Sequence, residues 1–552
     1  MIATIRATVS EKTIEKVSRL FNQALTDIVP ELFQNARRGG ATTISVSMQG
    51  TEAILIRDNG KGIHDPQVIL TLGASGWDQE TLSREDPAGM GFFALAGREV
   101  SISSRTADMK TGWQATIEGQ DWTGGNTVAI SNVAMAYGTV ICIPLRDQEA
   151  RQVEEIVKRA ARYLPLTVNM DGCEIERLEF LSGAIHVKPW MGCSIGVVKG
   201  NEYRDRMNFH GLQIAGKDLP MVSMAQGPTF YAYVDMGPAA DIQFVLPARK
   251  EVVRNEAYGE LTTACKIAIY EAIANFDGHS LGHADWLEAE LLGVTLPEAR
   301  PVLYPWVPRK AASDGDNYKP MREIPANAVL MSQQSPLADH CIERALQGEE
   351  LHDRLYEMES HFAGYSWYER LPRIRHAAFR VVSKTLAVEF DDEGDLDTQA
   401  QIDCGSQKAD QISLILTLTR GTIDSTLEFS ANFVATECES WNSDIGNLCL
   451  FWTEDAVQDF DGLHGLIEEG FFSPSNDSDA DSDYTQRRDF QDELRPLLAK
   501  LMLGERHSAE VELKRLLDRH LYLLPLGTSA TIHVKNTGSE IVLIDEPASA
   551  VA

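Results

Sequence analysis

Two side chains four residues apart, Glu31 and Asn35 in PELFQNARRGGA (30–41), hold the first chemistry of this chain. On a helix they stand one turn apart on a shared face. A carboxylate there can orient and deprotonate a water, and an amide oxygen can ligate Mg²⁺. A second cluster lies in IRDNGKGI (56–63), where Asp58 ends an apolar run and Asn59-Gly60-Lys61-Gly62 comes next. Glycines let backbone approach a flat ligand, and Asp58 can accept from an exocyclic amine such as that of adenine. In the third, DPAGMGFFAL (86–95), Gly89-Met90-Gly91-Phe92 opens a helix-like run, and amides at such a start suit phosphate oxygens. Each segment alone has an ordinary reading as a turn, a solvated helix face or a loop. Their conjunction predicts a nucleotide site.

These side chains need elements to hold them. Asp27 can cap the first of these helices, and Pro30 suits its first turn. Segments 42–48 and 53–57 read as strands paired about a Gln49-Gly50 turn. A leading strand over 1–10, a helix over 13–25, strands over 98–105, 112–117, 127–131 and 139–144, and a helix over 149–163 complete the first domain. The class is α/β, a layer of helices on one face of a mixed sheet, and the domain is expected to span 1–163. A second α/β domain is expected over 164–282, with strands at 167–170, 183–187, 194–198, 229–235 and 241–246 and a closing helix over 255–275.

The three segments, in this order, resemble the N, G1 and G2 boxes of the GHKL ATPases, the gyrase, heat-shock-chaperone, histidine-kinase and MutL relatives. Tyr137-Gly138-Thr139-Val140-Ile141 is similar to that family's GT-x-I strand, whose Thr supports the adenine-binding Asp. The resemblance implies a Bergerat-type α/β sandwich followed by a transducer-like domain. It implies Glu31 as general base, Asn35 as Mg²⁺ ligand and Asp58 on adenine. Gly60 and Gly62 would lie around the base with Thr139 supporting Asp58, Gly89 and Gly91 would hold phosphate, and Met90 and Phe92 would complete the cofactor-binding set. Residues 72–88 would form an ATP lid. Further on, ADIQFVLPARKEVVRN (240–255) resembles the MutL segment whose lysine reaches the γ-phosphate; Arg249 takes that place, with Lys250 beside it. Histidine kinases lack this second domain. Where the family often closes the N box with Asp-Ala, this chain has Arg38-Gly39. The function so implied is that of an ATP-gated clamp or switch that hydrolyses ATP with Mg²⁺ and pairs as a homodimer. The alternatives are a DNA-binding scaffold of MutL or prokaryotic defence type with little turnover, and a chaperone-like machine for protein clients.

Composition bounds the rest. The 552 residues are 43% hydrophobic and 24% charged, ordinary for a multidomain globular chain. A net charge of −31 argues against a generally basic, nucleic-acid-coating surface, though a local groove for DNA stays open. Eight scattered cysteines form no CxxC pair, so neither a zinc site nor a disulfide framework is indicated. No signal pattern or membrane-length apolar run is visible, and a cytoplasmic protein is expected. Beyond 282 the sequence reads as a connector (283–345), a β-rich mixed domain (346–470), an acidic flexible linker (471–485) and a helical segment (486–552) with helices at 489–503 and 505–520 and a final hairpin. Asp339-His340-Cys341 reads as part of a capped helix through Tyr356, and the cations Arg370, Arg373, Arg375, Arg380 and Lys384 as a packed amphipathic element.

Overall fold

The computed structural model describes residues 24–71, 91–123, 126–146, 148–200, 205–237, 242–245, 251–312, 319–391, 405–437, 445–519, 529–535 and 538–544. The expected strand over 1–10, nearly all of the helix over 13–25, the lid over 72–88, Gly89, Met90, Arg249 and Lys250 lie outside the described residues. The chain forms two compact units, Met1–Ala299 and Arg300–Ala552.

In the first unit, helix α1 (Leu25–Arg38) follows its N-cap Ala24, six residues before Pro30. Asp27 is therefore a first-turn acid and not the cap, and Pro30 lies inside the helix. The interior proline is tolerated because the carbonyl it deprives of a donor belongs to exposed Thr26, which water can serve. Strands β1 (Thr43–Gln49) and β2 (Ala53–Asp58) form a hairpin turning at Gly50, whose φ of 59° lies in the left-handed region. They are followed by β3 (Val100–Arg105), β4 (Gly112–Ile117), β5 (Ile130–Val133) and β6 (Gly138–Pro144). Helix α2 (Val153–Ala161) then leads to β7 (Thr167–Met170) and β8 (Cys173–Glu174). Among the described residues the sheet order is β5-β4-β3-β6-β2-β1-β7-β8, antiparallel save for β1 with β7. Alternate residues Ile44, Val46, Ile54, Ile56, Ile102, Ile141 and Ile143 face one side and pack with Ile28, Leu32, Phe33, Val153 and Val157 of the helices. Burying each such side chain contributes about 1.5–3 kcal/mol. The expected helix over 149–163 is shorter, and the sheet runs past the boundary expected at 163, because β7 adds to the edge of β1.

The strands of the second sheet are β9 (His186–Trp190), β10 (Cys193–Lys199), β11 (Met207–Phe209), β12 (Leu212–Ile214), β13 (Met221–Ser223) and β14 (Thr229–Met236). Their order is β12-β11-β14-β10-β9, with β13 also on β14. Helix α3 (Glu256–Ala274) covers this sheet, and Asn255 caps that helix by accepting from the Tyr258 N–H at 3.0 Å. The strand expected over 241–246 is absent among the described residues there; Phe244 makes only an isolated bridge to Val252. Helix α4 (His283–Leu291) and the chain to Leu296 join this same core, so the expected connector does not begin at 283.

The second unit opens with a short antiparallel pair, β15 (Val302–Leu303) and β16 (Arg322–Glu323). Parallel strands β17 (Val329–Met331) and β18 (Leu355–Glu357) then join β19 (Arg373–Val382), β20 (Ala387–Asp391), β22 (Gln411–Arg420) and β23 (Ile423–Ala431) in one sheet. A smaller sheet holds β21 (Gln407–Lys408), β24 (Phe433–Glu437) and β25 (Leu448–Trp452). Helix α5 (Pro336–Leu346) stops ten residues short of Tyr356, near Gly348 with φ 86°, and the chain returns as β18. The cations of 370–384 are partly matched by acids, Arg373 with Glu369 and Arg380 with Glu389, each at 2.9 Å. A long helix (Asp483–Arg519) breaks at Gly504, where two helices were expected to meet, and β26 (Ser529–Lys535) pairs with β27 (Gly538–Ile544). Among the described residues no helix is long and apolar enough to cross a membrane.

Candidate functional site

The site is built where the end of α1, the loop after β2 and the chain entering at Gly91 converge. Asn59 stitches the first two together: its Oδ1 accepts from the N–H groups of Thr42 (2.8 Å) and Thr43 (3.0 Å). The Lys61 N–H donates to the Gly39 carbonyl, at the end of α1, over 2.8 Å. Asp58 closes β2, and its Oδ1 accepts from the Gly60 N–H at 2.8 Å. Burial pushes the Asp58 carboxyl above the usual carboxylate range, while the N–H groups of Gly60 and Thr139 pull it back. A carboxylate so enclosed gains from one more donor.

Thr139 lies opposite Asp58 in the β2–β6 register, as the GT-x-I likeness requires. Gly138 before it has φ 114°, and a Cβ there would meet the Asp58 carbonyl oxygen at 2.1 Å. Gly62 has φ 73°, and its Cβ would meet the Arg105 carbonyl oxygen at 2.4 Å. Both positions admit only glycine. Ser104, fully buried on β3, ties the loop to β6. Its Oγ accepts from the Ile63 N–H (2.8 Å), donates to the Gly138 carbonyl (3.1 Å) and lies 3.1 Å from Thr139 Oγ1. Sequence reasoning missed Ser104; its signal was a hydroxyl in the inward alternation Val100, Ile102, Ser104.

Glu31 and Asn35 project from α1 toward Gly91. A Cβ on Gly91 would lie 2.7 Å from Glu31 Oε1, 2.9 Å from Asn35 Nδ2 and 3.1 Å from Asn35 Oδ1. The run after Gly91 is a five-residue 3-10 turn (Gly91–Leu95), not the longer helix its composition suggests, and Phe92 packs against the core of the first sheet. Two contacts on α1 were not foreseen. Gln34, buried between the two site residues, donates to the His210 carbonyl at 2.8 Å and so joins α1 to the β11–β12 turn of the second sheet. Arg38, whose side chain is 2% exposed, sets Nη1 3.2 Å from Asn35 Oδ1 and 3.4 Å from Glu31 Oε1.

That last contact decides how a metal would sit. An amide oxygen and a carboxylate are donors a hard cation accepts. Here a guanidinium already faces both oxygens, while Asn35 Nδ2 is buried with no hydrogen-bond partner among the described residues. A dication on Asn35 Oδ1 would sit against a fixed positive charge. With Arg38 in this position the residues do not fit Mg²⁺.

No family model matches the chain. It is 25% identical over 379 residues to the DNA mismatch repair protein MutL of Pectobacterium carotovorum, covering 57% of this chain and 54% of that protein. It is likewise 25% identical over 292 residues to MutL of Shigella dysenteriae, covering 41% and 46%. The chain thus spans about half the length of the curated relatives it matches. A solved MutL ATPase domain from Aquifex aeolicus complexed with ADP matches at 18% identity over 39% of this chain and 93% of that one, with a TM-score of 0.23. With these relatives and its three motif segments, the chain resembles GHKL-type ATPases, and its fold is mixed α/β.

Proposed function

We propose that this chain is an ATP-binding switch of the GHKL kind. Adenine donates its exocyclic amine to the half-buried carboxylate of Asp58, beside the Gly60 and Thr139 N–H groups. Gly60 and Gly62 let backbone lie against the base, and the triphosphate runs toward Gly91 and the α1 pair. The observation that carries the reading is the convergence of Asp58, held by Gly60 and Thr139, with Gly91 lying against Glu31 and Asn35. The Gln34–His210 contact gives α1 a direct mechanical tie to the second sheet, which supports a nucleotide-dependent movement of that sheet. By the resemblance, Arg249 and Lys250 are the cations that sense the γ-phosphate, and lid closure favours pairing of two copies.

Glu31 is the candidate base for hydrolysis. A second reading, ATP-gated assembly with little turnover, is favoured by Arg38, because a carboxylate facing a guanidinium is less available to a water. The nucleotide reading is tested by calorimetric titration of the full chain with ATP. Asp58→Asn is expected to weaken binding about ten- to a hundredfold, the loss of a charge-assisted hydrogen bond. Unchanged affinity sinks it. Turnover abolished by Glu31→Ala separates hydrolysis from gating by binding alone, and size measurement with a non-hydrolysable analogue tests the pairing.

A further inference from the structure

Arg38 stands where the family's N box carries an acid, and its placement changes what the box can do. Glu31, Asn35 and Arg38 fall at i, i+4 and i+7, so all three side chains share one stripe of α1. The guanidinium is almost wholly buried in that stripe and lies on the two oxygens that chemistry would otherwise offer to a divalent ion. A buried guanidinium is retained only where acceptors meet it, and these two oxygens are among them. Asn35 completes the picture. With its Oδ1 turned to Arg38, its Nδ2 is left as a buried donor without a partner among the described residues, next to Gly91. An amide in that state is suited to an anion and not to a cation.

Resting on the nucleotide reading above, we propose that Arg38 takes the place of the divalent cation: its guanidinium balances phosphate charge, and Asn35 donates Nδ2 to a phosphate oxygen instead of ligating a metal. Nucleotide binding is then independent of magnesium. Two arrangements compete for the same oxygens, and the sequence has fixed one of them by building the positive charge into the chain. No covalent step is involved.

The test is calorimetric titration of the full chain with the β,γ-imido analogue of ATP, in magnesium and in excess EDTA. The wild-type dissociation constants are expected to agree within about threefold between the two media. Arg38→Gln is expected to weaken binding in EDTA about tenfold or more, with magnesium restoring part of it, and Arg38→Lys to retain more of the EDTA affinity than Arg38→Gln. Melting curves confirm that each variant is folded, and the wild-type comparison stands even where a variant is not. A wild-type affinity that falls about tenfold or more in EDTA overturns the proposal while leaving the nucleotide site intact. So does an Arg38→Gln chain that binds in EDTA as the wild type does. Absence of binding in both media overturns it together with the reading it rests on.

Discussion

Gly91→Ala separates damage to the site from damage to the fold. The added Cβ would lie 2.7 Å from Glu31 Oε1, 2.9 Å from Asn35 Nδ2 and 3.1 Å from Asn35 Oδ1, so both side-chain ends must withdraw. The required shift is on the order of half an ångström to one ångström, since non-bonded atoms settle near 3.5 Å. Glu31 and Asn35 can turn about their own bonds, and leaving a rotamer well costs about 0.5–1.5 kcal/mol for each. The resulting stability loss is about 1–3 kcal/mol, or roughly 2–12 °C in Tm for a domain of this size. Function is hit harder in proportion. Glu31 and Asn35 leave the positions in which Arg38 now reaches them at 3.4 and 3.2 Å, and Asn35 Nδ2 is pushed out of line. Loss of charge-assisted bonds of that kind weakens nucleotide about ten- to a hundredfold. The assay is a thermal melt beside a titration with ATP, with Gly465→Ala as control, because a Cβ at Gly465 meets nothing within 4 Å. A Gly91→Ala chain that binds ATP like the wild type refutes the placement of Gly91 on the Glu31–Asn35 pair. One that fails to fold refutes the claim that those side chains can give way.

Gly138→Ala should behave in the opposite way. Its φ of 114° and the 2.1 Å approach to the Asp58 carbonyl oxygen set backbone against backbone, which costs about 3–5 kcal/mol, and both the melting temperature and nucleotide binding fall. A melt within a degree or two of wild type would contradict the register of β2 with β6. In the second unit, burial pushes the Glu357 carboxyl from 4.5 up to about 7, against a hydrogen bond from Gln333 Nε2 at 2.9 Å. Because its folded value lies above its unfolded one, the stabilising effect is present below the unfolded value and is lost as pH rises through the folded value. The advantage in Tm of Glu357→Gln over wild type should therefore grow from about pH 4.5 to about 7 and then level off, and a constant difference across that range would be inconsistent with a buried Glu357.

What could be read from the sequence was whatever sits within one turn or one strand of its partner. Asp58-Asn59-Gly60-Lys61-Gly62 announces a strand end and a glycine-bearing loop, and Glu31 with Asn35 announces a helix face, because both periods are local. The β1–β2 hairpin and the break near Gly504 were legible for the same reason. The start of α1 was not: Ala24 makes no side-chain cap, so the visible signals, Asp27 and Pro30, pointed inward of the true end. Strands β11, β12 and β13, three residues each, are too short to show a period. The helix expected to run to Tyr356 ignored Gly348, which is an ordinary helix stop. Ser104 and the Gln34–His210 contact depend on chain brought together from 41 and 176 residues away.

Arg38 is the instructive case, since its departure from the N box was visible and its consequence was not. The i, i+4, i+7 spacing already placed a cation on the stripe that holds Glu31 and Asn35. Spacing alone does not say whether a terminal arginine turns to solvent or to its own helix, and at the end of a helix the solvent orientation is the default. Here the guanidinium is enclosed, with Nη1 facing the Asn35 and Glu31 oxygens. The same three residues that would define a metal-dependent box in an open site define a charge-balanced one in a closed site. Which chemistry the box performs is set by the neighbour that occupies its oxygens.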